Sequence, residues 1–70
     1  MDFGVKGDFI ELDNLLKNLK LVSNGVEARE VILASQVKVN GDVESRIRRK
    51  LRLGDTIEFD GKQIKIVKTN

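Results

Sequence analysis

Five cations fall within seven residues, Arg46-Ile47-Arg48-Arg49-Lys50-Leu51-Arg52, and no acid interrupts them. Guanidinium and ammonium groups at that density are suited to holding anionic oxygens, Arg bidentately and Lys as a point charge. Net charge is only +2, so the argument rests on distribution rather than balance. The acids lie mostly before residue 31 or after residue 54, which leaves a local positive field around the run. Many charge runs are merely solvated segments that protect a sheet edge from pairing. The density here, with Arg29 and Lys38 expected nearby in space, favours a polyanion partner instead. Strand-like alternation places Arg46, Arg48, Lys50 and Arg52 on one side and Ile47, Leu51 and Leu53 inward, with Arg49 the exception.

Other chemistry is poorly supported. The chain has no cysteine and no histidine, which removes disulfides, the usual zinc ligand sets and the commonest acid–base and nucleophilic groups. Its carboxylates are scattered through turns and helix starts, where capping and solubility account for them. The glycines stand singly, most beside Asp or Asn, as turn chemistry requires. The expectation is therefore no enzyme, no metal and no cofactor. Neither a signal peptide nor an apolar stretch of membrane-spanning length is visible, so the reading is a cytoplasmic protein without membrane contact.

The elements that must position the basic run are read from hydrophobic period. Seventy residues amount to a single domain, 1–70, stabilised by an aliphatic core. Leu12, Leu15, Leu16 and Leu19 fall at i, i+3, i+4 and i+7 and predict a first helix, with Glu11 and Asp13 near its start and Lys17 and Lys20 at its end. Asn24 and Glu27 have capping-box spacing and open a second helix from about Gly25 to Ser35, burying Ala28, Val31, Ile32 and Ser35. The period then falls from about 3.6 to 2 at Val37-Lys38-Val39. Asn40-Gly41 follows as a type I′ turn. Thr56–Phe59 and Gln63–Ile66 alternate around Asp60-Gly61 and predict a closing hairpin. Phe3-x-Val5 is an edge-strand candidate, and Phe9-Ile10 leads into the first helix. The fold class is α+β, two short N-terminal helices packed on a small antiparallel sheet.

Among polyanions, folded RNA fits better than duplex DNA, because Glu27 and Glu30 flank Arg29 on the second helix and leave no recognition face. With only three aromatics, base stacking is a poor expectation, and contact with phosphates and RNA shape remains. The candidate contacts are Arg29, Lys38, Arg46, Arg48, Arg49, Lys50 and Arg52, together with Asn40, which the turn itself also demands. Arg46 and Arg49 rank first for mutation. A monomer is expected. The competing reading is a protein-interaction module that turns the same basic surface to an acidic protein.

The order of residues also resembles a known family. Asn24-Gly25-x-x-Ala28-x-x-Val31-Ile32-x-x-Ser35-x-Val37-x-Val39-Asn40-Gly41, followed by Leu51-x-x-Gly54-Asp55-x-Ile57, is similar to the RNA-binding domain named after ribosomal protein S-four, the αL motif. The resemblance is strongest over residues 9–59. Val39-Asn40-Gly41-Asp42-Val43-Glu44-Ser45-Arg46, running on through Lys50-Leu51 to Gly54-Asp55, looks like the small stand-alone bacterial YaaA/YbcJ-like group. That resemblance implies binding of structured ribosomal or transfer RNA, on the ribosome or during its assembly, without an attached catalytic domain. Three positions depart from the pattern: Gly25 stands where the wider family has Arg, Val26 where the closer group has a second Gly, and Ser35 where Gly ends the second helix.

Overall fold

The computed structural model describes residues 1–69. Its elements run β1 (Asp2–Val5), β2 (Ile10–Glu11), α1 (Leu12–Asn18), α2 (Gly25–Leu33), β3 (Val37–Val39), β4 (Asp42–Val43), β5 (Lys50–Leu51), β6 (Thr56–Phe59) and β7 (Lys62–Lys68). Five strands form one sheet in the order β1-β7-β6-β3-β4, while β2 and β5 pair as a separate two-stranded ribbon.

Local chemistry explains both helices. In α1 the leucine stripe buries Leu12, Leu15 and Leu16 completely, and Leu19 is half-buried at its C-terminal cap. Asn24 caps α2, its side chain accepting from the Glu27 N–H at 2.9 Å, while the Glu27 carboxylate accepts from the Ser23 N–H at 3.2 Å. Both helices end in a Schellman motif. In α1 the Lys20 and Leu21 N–H groups reach back to Lys17 and Leu16 carbonyls; in α2 those of Ser35 and Gln36 reach Ile32 and Val31. Each motif needs a left-handed residue, and Lys20 (φ 57°) and Ser35 (φ 63°) supply it. Ser35 therefore terminates α2 at the position the family fills with glycine. It is exposed rather than part of the buried stripe, and the helix stops at Leu33.

Strands β3, β6 and β7 are antiparallel neighbours, with Lys38 opposite Glu58 and Glu58 opposite Gln63 in one row. Val37, Val39, Ile57, Phe59, Ile64 and Ile66 alternate with that row and face the helices, joining Leu12, Leu15, Leu16, Ala28 and Ile32 in one core. Two Asx-Gly turns close the hairpins with positive φ at both residues, Asn40 54° and Gly41 88°, Asp60 53° and Gly61 75°, as the type I′ geometry requires.

The α+β class holds, but the sheet is mixed. The first strand pairs with β7 in parallel, Phe3 opposite Ile66. No turn signal accompanies such a pair, because a parallel partner is reached through the rest of the chain. Phe9-Ile10 also departs from expectation: Ile10 and Glu11 pair with Leu51 and Lys50 before α1 begins. No helix among the described residues is long and apolar enough to cross a membrane.

Candidate nucleic-acid interface

The basic run does not alternate as one strand. A turn intervenes, the Arg49 N–H donating to the Arg46 carbonyl at 3.3 Å, and only Lys50 and Leu51 are strand. The reason lies at the start of α1. Its first N–H groups lack intrahelical acceptors, and Glu11 offers no side-chain cap. Leu12 instead donates to the Arg49 carbonyl at 2.9 Å and Asp13 to the Ile47 carbonyl at 3.1 Å. Ile47 packs against the core and Leu51 is fully buried. The segment is thus fastened by its backbone and apolar residues, which leaves its cations on the surface. Leu53, expected inward, is exposed instead: it sits at the corner of a second turn, closed by the Asp55 N–H on the Arg52 carbonyl, with Gly54 at φ 90°.

Glu44, absent from the sequence-based set, organises the turn. Only 6% exposed, it accepts Arg46 Nε at 3.0 Å, Arg46 Nη2 at 3.0 Å, the Arg46 N–H at 3.0 Å and Arg49 Nη1 at 2.7 Å. The Arg46 guanidinium is the main reason its carboxyl is lowered from 4.5 to about 2; burial opposes this, and Arg49 adds to it. Arg46 and Arg49, the first choices for phosphate contact, are therefore partly committed to an internal anion. Arg46 remains open on its far side, its side chain 71% exposed, whereas Arg49 is 28% exposed. Arg48, Lys50 and Arg52 have no ion pair among the described residues.

Two clefts follow from this arrangement. One, of about 540 Å³, is lined by Arg46, Arg48, Arg49 and Lys50. The other, of about 370 Å³, lies at the start of α2, where Arg29 and Arg48 meet Asn24, Gly25, Val26, Asp13 and Ile47. Arg48 belongs to both. The structure thus joins Arg29, from a helix distant in sequence, to the basic turn. Six cations, Arg29 and the five of the run, against the carboxylates of Glu44 and Asp13 leave this face positive.

Lys38 and Asn40 are placed differently. Lys38 stands on the outer face of the sheet, across from Glu58 and Val43. The Asn40 amide donates to Asp55 Oδ1 at 3.0 Å, and its Oδ1 accepts from the Thr56 N–H at 3.0 Å. Its side chain thereby locks the β3–β4 turn to the start of β6. Burial disfavours the charge on Asp55, but the Arg52 N–H, the Asn40 amide and the charges of Arg49 and Arg52 outweigh it and hold that carboxyl below its ordinary value.

Phe9 is the second residue that sequence reading passed over. It is 40% exposed, with Lys50 Nζ 4.9 Å and the Arg52 guanidinium carbon 5.8 Å from the ring centroid, both within cation–π range. The signal was the strand register: the β2–β5 pairing sets Phe9 on the same side as Lys50 and Arg52, with Ile10 and Leu51 on the other. That register involves only two residue pairs, Ile10 with Leu51 and Glu11 with Lys50, distant in sequence, and no local pattern announces it.

The comparisons agree with this architecture. A solution structure of YbcJ from Escherichia coli superimposes with a TM-score of 0.71 at 37% identity, covering 94% of this chain and 85% of that one. In sequence, YbcJ of Escherichia coli is 39% identical over 62 residues, 89% of each protein, and the YbcJ of Shigella flexneri matches to the same extent. The family model described as the S4 domain matches residues 3–67, which adds β1 and β7 to the stretch 9–59 that carries the motif. On that span and those identities, the chain belongs to the S4 domain family.

Proposed function

We propose that this chain is an RNA-binding unit that grips structured RNA through phosphate and shape contacts, using the face formed by Arg29, Arg46, Arg48, Arg49, Lys50 and Arg52. The observation that carries the reading is the convergence of Arg46, Arg48, Arg49 and Lys50 on one open cleft, continued by Arg29 at the start of α2. Helix N-termini favour anions, so a phosphate there would meet a helix end as well as two guanidinium groups. The similar YbcJ structure is described as revealing an αL motif involved in RNA binding, which supports the same assignment. Ribosomal or transfer RNA is the proposed target, met on the ribosome or during its assembly, by a monomer in the cytoplasm. Lys38 and Asn40 contribute less: one stands on the outer face of the sheet and the other is spent on the turn.

The informative variant is Arg48→Glu with Lys50→Glu, since neither cation is paired with Glu44. Binding to total ribosomal RNA, followed by fluorescence anisotropy, is expected to weaken by at least about tenfold at low salt, with far-UV circular dichroism unchanged. Undiminished binding by the folded double variant would refute the assigned face. Arg46→Glu with Arg49→Glu is the poorer experiment, because it sets three carboxylates together and disrupts the turn itself.

A further inference from the structure

We infer that Phe9, Lys50 and Arg52 form a stacking site for one unpaired nucleobase, adjoining the cleft where the RNA backbone is held. The inference rests on the RNA-binding reading above and adds a feature of the ligand: a duplex interrupted or ended by an unpaired nucleotide.

Three observations converge on this site. Phe3 is half-buried and Phe59 is buried, whereas Phe9 is 40% exposed. An exposed aromatic needs no explanation alone, but this one has two cations against its ring, at 4.9 Å and 5.8 Å from its centroid. Aromatic rings and arginine guanidinium planes are the two surfaces on which proteins stack single-stranded bases, and here they adjoin at one end of the β2–β5 ribbon. Neither cation makes an ion pair with an acid among the described residues: Glu11, opposite Lys50 in the ribbon, accepts from Asn14 on α1, and Asp55 accepts from Asn40 and the Arg52 N–H.

Continuity with the phosphate-binding face comes through Lys50, which both lines the basic cleft and lies over the Phe9 ring. A strand whose phosphates occupy that cleft would present its next base to the ring only if the base were free of a partner. Paired bases are stacked within the helix and present no face. The site therefore discriminates by pairing state and tolerates any base, since every base has a π-face.

The test uses a closed RNA hairpin and the same hairpin carrying one unpaired 2-aminopurine beside its stem. The intact protein is expected to bind the second RNA roughly tenfold more tightly, with 2-aminopurine fluorescence changing on binding. Phe9→Leu should abolish the preference and the fluorescence change while leaving affinity for the closed hairpin and the circular dichroism unaltered. Phe9→Trp should keep both. Equal binding of the two hairpins by the intact protein, a preference that survives Phe9→Leu, or equal weakening of both by that variant, would overturn the stacking site and leave the RNA-binding reading standing. Failure of the intact protein to bind either hairpin would overturn both.

Discussion

Glu44 shows how one side chain sets the character of a surface. Without it, Arg46 and Arg49 would repel each other and their neighbours; with it, the turn closes around a carboxylate nearly out of reach of water. The folded-state pKa lies near 2 and the ordinary value at 4.5, so the unfolded chain binds the proton more readily. The stabilisation is complete above about pH 4.5 and drains away as pH falls towards about 2. Glu44→Gln should therefore flatten the acid limb of the stability profile, measured by urea unfolding between about pH 2 and pH 7. At pH 7 it should cost on the order of 2 kcal/mol, a value discounted for the open solvent around Arg46. Ser35 invites the opposite change. Its left-handed φ of 63° is held by the Schellman bonds of α2 but carries a steric penalty that glycine lacks. Ser35→Gly is expected to raise stability by about 0.5–1 kcal/mol in the same unfolding measurement. The family pattern marks this residue as the end of α2, but helix periodicity places it in the buried stripe, because periodicity does not reveal where the chain turns left-handed and leaves the core.

Elements formed by neighbouring residues could be read directly. The leucine stripe of α1, the Asn24 cap and the two Asx-Gly turns are each decided within about eight residues or fewer, and each stands where its pattern predicts. The ribbon of β2 and β5 could not be read this way. Two short pieces, each without clear periodicity, pair because Leu51 fills the core beneath them and α1 takes its first acceptors from the Ile47 and Arg49 carbonyls. Leu51→Ala should accordingly destabilise the protein by roughly 2–4 kcal/mol. It should also loosen the ribbon that carries Lys50 and leads into Arg52, seen as faster amide hydrogen exchange at Leu12 and Asp13 than in a core variant of similar cost on β7, Ile64→Ala.

At the scale of the whole molecule, the positive face is assembled from parts of the chain that have no local reason to meet. Arg29 comes from α2, Arg48 from the turn after Glu44, and Lys50 from the ribbon. If this face makes about five phosphate contacts, the logarithm of affinity should fall with the logarithm of salt at a slope of about −3.5 to −4.5. That corresponds to roughly 100- to 500-fold weaker binding from about 50 to 200 mM salt. Arg48→Glu with Lys50→Glu should make the slope shallower by about 1.5, a change that a merely misfolded protein would not reproduce. The outer sheet face, with Lys38 beside Glu58, should contribute little: Lys38→Ala should leave both affinity and slope nearly unchanged in the same titration.

Hydrophobic period, turn pairs and cap residues determined by themselves the two helices, the two hairpins, the α+β class and the presence of a dense basic segment, because each depends on residues close together in sequence. Tertiary structure alone decided the parallel seat of β1 against β7, the pairing of Ile10-Glu11 with the basic segment, and which cations Glu44 engages. Those outcomes depend on long-range packing: a carbonyl needed at a helix start and a leucine needed in the core seat the basic turn, and one buried acid holds Arg46 and Arg49.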